Sequence, residues 1–287
     1  MAVVDRIDSV AIVGAGFMGS GIAESVAVAG LPVVVCDVDQ AALDRARESI
    51  DTSLARAVSG GKLDVAHAEV ARGRIELSTD LEAVGGSELV VEAVPEDEQL
   101  KLQVMEGINR VVSDQAIVAS NTSSIPIAQL ARVVAHPERV LGLHFFSPVP
   151  VMTLVEVVVA LDTSPEAVSC AKAFAEHIGK CPIETKDRSG FIVNMLLVPY
   201  LMAAVRMFEE GFATREDIDA GMRLGCGHPM GPLTLCDFIG LDVLYAVCDS
   251  LYDEFKQDEY APPPLLKRMI ASGRLGRKSG RGFYEYA

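Results

Sequence analysis

Two periodicities divide this chain. Up to about residue 187, short β-branched runs alternate with longer stretches of helical spacing. The apolar runs are Ser9–Val13, Val33–Cys36, Leu89–Glu92, Ala116–Ala119 and Val140–Leu143, and charged segments such as Asp39–Ser59 and Glu96–Val112 lie between them. Continuous apolar runs are the pattern of strands buried on both faces, and their alternation with helices predicts a mostly parallel sheet covered on both sides. Runs at Val151–Val159 and Cys181–Glu184 extend this region. They flank a helix predicted over Ser164–Ile178, with Ser164 as N-cap, Pro165 in its first turn and Gly179 beyond its end.

Beyond Arg188 the β-runs vanish. Gly190–Glu210, Thr214–Leu224, Thr234–Phe255 and Pro264–Ser272 all read as helices, separated by Gly/Pro punctuation at residues 225–232 and 261–264. Thr214 and Asp217 resemble a capping box with Asp in the acid position. The expected division is an α/β domain over residues 1–187 and an all-helical domain over 188–287.

Composition narrows the function classes. The chain has 287 residues, half of them apolar, and a formal net charge of −15. That much apolar material builds a core, so disorder is excluded as the global state. The acidic balance argues against nucleic acid or an anionic membrane as partner, since both need a broad basic face. It leaves room for one small polyanion held locally by lysines or a helix N-terminus. The six cysteines form no C-x-x-C pair and no metal-ligand spacing with the five histidines, which fits reduced thiols in a cytoplasmic protein and no metal site. Charges interrupt the apolar residues at the N-terminus, which is unlike a signal peptide. Phe191–Val205 is the longest apolar stretch. Asn194 and Pro199 break it, and it falls short of the ~20 residues a membrane helix needs. It reads as a buried or subunit-interface helix.

Gly14-Ala-Gly16-Phe17-Met18-Gly19 follows the first strand and opens a helix. In that context the first glycine allows the tight turn, the second lets backbone approach a pyrophosphate, and the third lets helix and strand pack closely. Asp37 ends the second strand, where a carboxylate can accept both ribose hydroxyls and would repel a 2′-phosphate. The predicted fold is therefore a Rossmann-type sheet domain, and the expected cofactor is NAD rather than NADP. Pro95-Glu96 and Asn121-Thr122-Ser123-Ser124 lie at the carboxyl ends of later strands, where ligands sit in such folds. The second segment is equally well read as an N-cap and turn before Pro126.

His144 ends an apolar strand, and Glu156 sits inside another. A carboxylate in such a run is costly unless paired. The two are equally spaced about residue 150 in a Pro-containing turn region, so they meet if the segments fold back on each other. A histidine oriented by a buried acid suits the general base of an alcohol oxidation. His67 and His177 lie in charged helices, His136 in a loop, and His228 in the Gly-rich connector at residues 225–232, where a structural role is expected.

Taken with Glu92-Ala-Val-Pro-Glu96, Ser120-Asn-Thr-Ser-Ser124, His144-Phe-Phe-Ser-Pro148, Gly190-Phe-Ile-Val-Asn194, residues 227–232 and the glycine-rich 276–284 segment, the whole chain resembles the L-3-hydroxyacyl-CoA dehydrogenase family. The resemblance implies NAD-dependent oxidation of a short-chain L-3-hydroxyacyl-CoA such as 3-hydroxybutyryl-CoA, or the reverse reduction. By the same resemblance His144 is the base and Glu156 its orienter, while Ser123 and Asn194 position substrate oxygens and nicotinamide. Asp37 holds the adenine ribose, Glu96, Lys101 and Asn121 line the cofactor site, and the helical domain makes a homodimer. The family's CoA contacts fall near Ser53 and Lys62, with Arg56 between them. This match is loose, because Ser59-Gly-Gly61 stands where relatives carry more lysine. Lys62 also reads as a plain surface lysine. Lys267–Arg281 has six basic residues and no acid, and suits either an anion or an acidic partner surface. The competing readings are a hydroxyacid or sugar-acid dehydrogenase acting on a free carboxylate, and a cofactor-binding protein without turnover.

Overall fold

The computed structural model describes residues 6–286. Residues 1–5 of the N-terminal segment whose charges speak against a signal peptide lie outside them. The chain folds as two compact units that divide between Asp187 and Arg188.

The first unit is built on an eight-stranded sheet. Its strands are β1 (Val10–Val13), β2 (Val33–Cys36), β3 (Ile75–Ser78), β4 (Leu89–Glu92), β5 (Ile117–Ser120), β6 (Val140–Phe145), β7 (Leu154–Val159) and β8 (Cys181–Lys186). They lie side by side in the order β3-β2-β1-β4-β5-β6-β7-β8. Every neighbouring pair is parallel except β6 and β7, which are antiparallel. The order reverses direction at β1, and this switch point is where open α/β sheets bind ligands. The helices are α1 (Phe17–Val28), α2 (Gln40–Ser59), α3 (Val65–Gly73), α4 (Glu98–Val111), α5 (Ile127–Ala131) and α6 (Pro165–His177). Strands β1, β4 and β5 are buried along their whole length, as apolar runs without alternation require. Ile12, Ile22, Val35, Leu89 and Leu141 join one continuous core between sheet and helices.

Local chemistry sets the ends. Ser164 caps α6 by accepting from Ala167 N at 3.2 Å, and Asp39, Asp64 and Asp97 cap α2, α3 and α4 in the same way. Among the elements that escaped the sequence pattern are β3, α3 and α5. The Ile75–Ser78 run of β3 is an edge strand with a single buried residue, so it carries little apolar signal. Helix α3 is short and mostly exposed. The strand expected to stop at Leu143 runs on to Phe145, which places His144 inside β6.

The second unit contains α7 (Val193–Glu209), α8 (Arg215–Cys226), α9 (Pro232–Ile239), α10 (Leu241–Phe255) and α11 (Pro264–Ala271) around a core that includes Leu201, Met202, Leu233, Leu244 and Leu251. The helix expected over Thr234–Phe255 is in fact two. Gly240 adopts φ 99°, closed to most side chains, and breaks the run between α9 and α10. Buried acids anchor the chain end to this core. Asp237 accepts from Phe283 N and Tyr284 N, both at 2.9 Å. Asp219 accepts from Leu233 N at 2.8 Å and from the Tyr284 hydroxyl at 3.0 Å. Among the described residues no helix is long and apolar enough to cross a membrane.

Candidate active site

The glycine turn between β1 and α1 has no room for side chains on its inner side. A Cβ on Gly14, at φ 112°, would lie 2.6 Å from the Ala93 carbonyl oxygen, and one on Gly19 would lie 1.9 Å from the Gly14 oxygen. A Cβ on Gly16 would meet no atom within 4 Å, so this residue faces open space. Phe17 and Met18 open the helix, Phe17 being well exposed. No side chain caps α1 and no acid stands in its first turn, which leaves its N–H groups and partial positive charge to an anionic ligand. Beside the turn, Asp37 is half-buried, with Oδ2 accepting from Ala15 N at 2.8 Å and Oδ1 from Asp39 N at 3.0 Å. These bonds fix the carboxylate and leave each oxygen a further lone pair for a ribose hydroxyl. Open glycine, uncapped helix and fixed acid together fit a dinucleotide.

Behind the ends of β4 and β5 lies a buried charged network. Lys101 is 1 % exposed and Glu92 0 %. The lysine Nζ stands 2.8 Å and 3.0 Å from the two Glu92 oxygens, 3.1 Å from the Val94 carbonyl and 3.3 Å from Glu96 Oε2. Its protons are thus spent inside the protein, on Glu92, Val94 and Glu96. Ser120 donates to the same Glu92 at 2.6 Å. Glu96 Oε1 collects Thr122 Oγ1 at 2.6 Å, Ser123 N at 2.9 Å and Ser124 N at 3.1 Å, with the Ser123 hydroxyl at 3.3 Å. Burial pushes the Glu96 carboxyl up, but the Lys101 charge and the Thr122 and Ser123 donors hold it below the usual range. The residue 121–124 segment is therefore a loop folded around an anion. Asn121 Oδ1 accepts from Phe145 N at 2.9 Å and ties this loop to the strand that carries His144.

On that strand, β6 and β7 fold back on each other and place His144 directly opposite Glu156. Residues facing across an antiparallel pair share one side of the sheet. His144 Nδ1 lies 2.6 Å from Glu156 Oε2, the acid fully buried and the ring nearly so. A carboxylate only accepts, so Nδ1 carries the hydrogen and Nε2 carries the basic lone pair. The Phe146 ring stands 4.6 Å from the imidazole and restricts its rotation.

Comparison with known proteins identifies the family. Residues 9–188 match the NAD binding domain of 3-hydroxyacyl-CoA dehydrogenase, and residues 190–286 match its C-terminal domain. The chain belongs to the 3-hydroxyacyl-CoA dehydrogenase family. It is 50 % identical over 284 residues to a 3-hydroxybutyryl-CoA dehydrogenase of Mycobacterium tuberculosis, covering 98 % of this chain and 99 % of the relative. Among solved structures it is similar to M. tuberculosis FadB2, with a TM-score of 0.97, 50 % identity and coverage of 99 % and 100 % of the two chains. It is also similar to the (S)-3-hydroxybutyryl-CoA dehydrogenase PaaH1 of Ralstonia eutropha, with a TM-score of 0.93, 44 % identity and coverage of 98 % and 100 %. The dehydrogenase family uses NAD, in accord with the cofactor read from Gly14–Gly19 and Asp37.

Two cavities of this dehydrogenase take in the expected CoA contacts. One, of about 530 Å³ between α1 and α2, is lined by Ser53 and Arg56. The other, of about 410 Å³, is lined by Lys62 from the turn after α2 and by Lys180. The Ser53 hydroxyl is already engaged, donating to Glu24 Oε1 at 2.8 Å. In the second unit, Asn194 lies in the first turn of α7, behind the left-handed pair Gly190 and Phe191. His228 is held 3.1 Å from the Tyr200 hydroxyl, as suits a structural residue. Part of the basic segment is paired within the unit, Arg268 with Glu209 and Lys278 with Asp242, each at 2.6 Å. The sequence pattern does not single out Glu92 or Glu24, although both are acids in apolar surroundings, the same signal that singles out Glu156.

Two outcomes follow from this geometry. Lys101→Met leaves the Glu92 charge buried without its partner, and unfolding in denaturant is expected to show a loss of about 3 kcal/mol. A loss below about 1 kcal/mol would mean that Glu92 is neutral and the pair unimportant. Asp37→Ala is expected to weaken NAD roughly tenfold or more, as loss of charge-assisted hydrogen bonds implies, with NADP nearly unaffected in calorimetric titration. An unchanged preference between the two cofactors contradicts the ribose assignment.

Proposed function

We propose that this dehydrogenase interconverts short-chain L-3-hydroxyacyl-CoA, 3-hydroxybutyryl-CoA among them, and the 3-ketoacyl-CoA, with His144 as general base and Glu156 as its orienting acid. The observation that carries the chemistry is the 2.6 Å contact between His144 Nδ1 and Glu156 at the carboxyl end of a sheet that matches a NAD binding domain. The choice of acyl-CoA rests on the family and on relatives named as 3-hydroxybutyryl-CoA dehydrogenases.

In the oxidation, His144 Nε2 accepts the proton of the substrate C3 hydroxyl as the C3 hydride departs. Bound NAD supplies the two-electron acceptor for that hydride. Glu156 keeps the imidazole in the right tautomer and stabilises the imidazolium as it forms. Ser123 and Asn194 are neutral groups assigned to the substrate oxygen through the family likeness, and Ser123 donates there by releasing its 3.3 Å bond to Glu96. Glu96, with Glu92 and Lys101 behind it, fixes the loop that carries Ser123. The reduction runs the same steps backwards, with His144 returning the proton.

We also assign a homodimer formed through the helical unit. Leu196, Phe212 and Leu224 are largely exposed there, and an apolar cavity of about 430 Å³ lies between α7 and α8, lined by Tyr200, Met207, Ile218 and Met222. Exposed apolar patches of this kind mark interaction surfaces. Light scattering should give twice the subunit mass, and a single subunit mass would refute the assignment. A cytoplasmic location suits a chain whose six cysteines form no C-x-x-C pair.

The deciding assay follows NADH with acetoacetyl-CoA and with free acetoacetate. Turnover of the thioester alone is expected, and preference for the free acid would favour the hydroxyacid reading. His144→Gln should lower kcat at least about 10³-fold while NADH still binds, and Glu156→Gln should lower it about 10² to 10⁴-fold. Near-normal turnover in His144→Gln would remove the base.

A further inference from the structure

The two cavities that take in Ser53, Arg56 and Lys62 share one charged side chain, Glu24 of α1. Glu24 is 5 % exposed, inside a helix whose other inward residues are apolar or small. Its Oε1 accepts from the Ser53 hydroxyl at 2.8 Å. Pro150 also lines both cavities, so they are two ends of one cleft between α1, α2 and the segment that follows β6. The reaction as described in the preceding subsection has no use for a carboxylate in that cleft. A buried acid with so little compensation costs stability, and a group kept at such cost is a functional candidate.

The charged neighbours define what ligand chemistry fits. Arg45, Glu48 and Arg56 of α2 line the first end. Lys62, His177 and Lys180 line the second. Lys180 Nζ donates to the Val149 and Met152 carbonyls, at 2.5 Å and 3.0 Å, which holds its charge close to Glu24 without a direct bond. The cleft thus has cations at both ends and an acceptor between them. A phosphate would be repelled by Glu24, whereas an amide N–H would be welcomed. Coenzyme A has both, with phosphates at one end and two secondary amides along its pantetheine arm.

We propose that Glu24 is a specificity residue of the acyl-CoA cleft, its carboxylate accepting an amide N–H of the pantetheine arm while the cations around it draw the phosphates. The inference rests on the acyl-CoA reading above. Burial pushes the Glu24 carboxyl up to about 7, against the pull of the Ser53 hydroxyl and the Lys180 charge. Only the ionised form is a strong acceptor that offers no competing proton. Affinity for the ligand therefore rises with the ionised fraction as pH climbs through neutrality.

The test is calorimetric titration of acetyl-CoA, which needs no turnover, into wild type and Glu24→Gln at pH 6 and pH 8. Wild type is expected to bind more tightly at pH 8 than at pH 6, by up to about tenfold, the full change in ionised fraction. Glu24→Gln is expected to bind more weakly than wild type at pH 8 and to lose most of this pH dependence. Titration of the CoA phosphates affects both proteins alike and cancels in the comparison. The variant removes a buried charge, so its melting temperature at pH 8 should be no lower than that of wild type, which separates a binding effect from misfolding. Equal affinities and equal pH profiles in the two proteins overturn the role of Glu24, whether or not wild type reduces acetoacetyl-CoA. Failure of that turnover, with acetyl-CoA binding as expected, would instead fault the reaction and leave the cleft assignment standing.

Discussion

A carboxylate with no access to water has to be answered by a nearby proton, and in this fold the answer to Glu156 is the Nδ1 hydrogen of His144. That single requirement fixes the tautomer of the imidazole, points its basic nitrogen away from the acid and forbids the ring to turn over. The antiparallel register of β6 and β7 sets the two residues face to face. The parallel part of the sheet then matters because it brings the end of β6 to the edge of the dinucleotide site, through the Asn121 bond to Phe145 N. Fold and chemistry meet at one strand end.

A second charged network supports the first from behind. Glu92 and Lys101 are both buried, and their pair is stabilising only because each remaining oxygen and proton finds a partner in Ser120, Val94 or Glu96. The network converts a lysine of α4 into a fixed positive charge under Glu96, and Glu96 in turn gathers the Thr122–Ser124 backbone and hydroxyls. Glu96 holds its proton less tightly in the folded chain than in the unfolded one. Its contribution to stability is therefore present above the ordinary carboxylate range and fades as pH falls through its lowered value. At neutral pH the ionised Glu96 therefore keeps its Thr122, Ser123 and Ser124 donors.

Much of this was legible in the chain because buried parallel strands leave unbroken apolar runs. The strands around Val33–Cys36 and Leu89–Glu92 and the capped helix after Ser164 could be read directly. What stayed hidden was either weakly apolar or dependent on long-range partners. Strand β3 lies at an edge and buries only Ile75, and the break at Gly240 looks like any small residue inside a helical pattern. The pairing of His144 with Glu156 depended on a register that spacing alone could only suggest. Lys101 could not be placed by pattern at all, since a lysine in an amphipathic helix ordinarily faces solvent and its burial is decided by Glu92, nine positions away. Asp219 and Asp237, which anchor the chain end in the helical unit, are hidden in the same way.

The proposed chemistry depends on where the imidazole keeps its hydrogen. Nitrogen-15 NMR of histidine-labelled protein, with NAD bound at neutral pH, reads this directly. One histidine is expected to show a protonated, strongly downfield and slowly exchanging Nδ1 together with an unprotonated Nε2, and this signature should disappear when Glu156 is replaced by Gln. A resonance from His144 with its hydrogen on Nε2, or one indifferent to Glu156, would contradict the proposal that this nitrogen receives the substrate's proton.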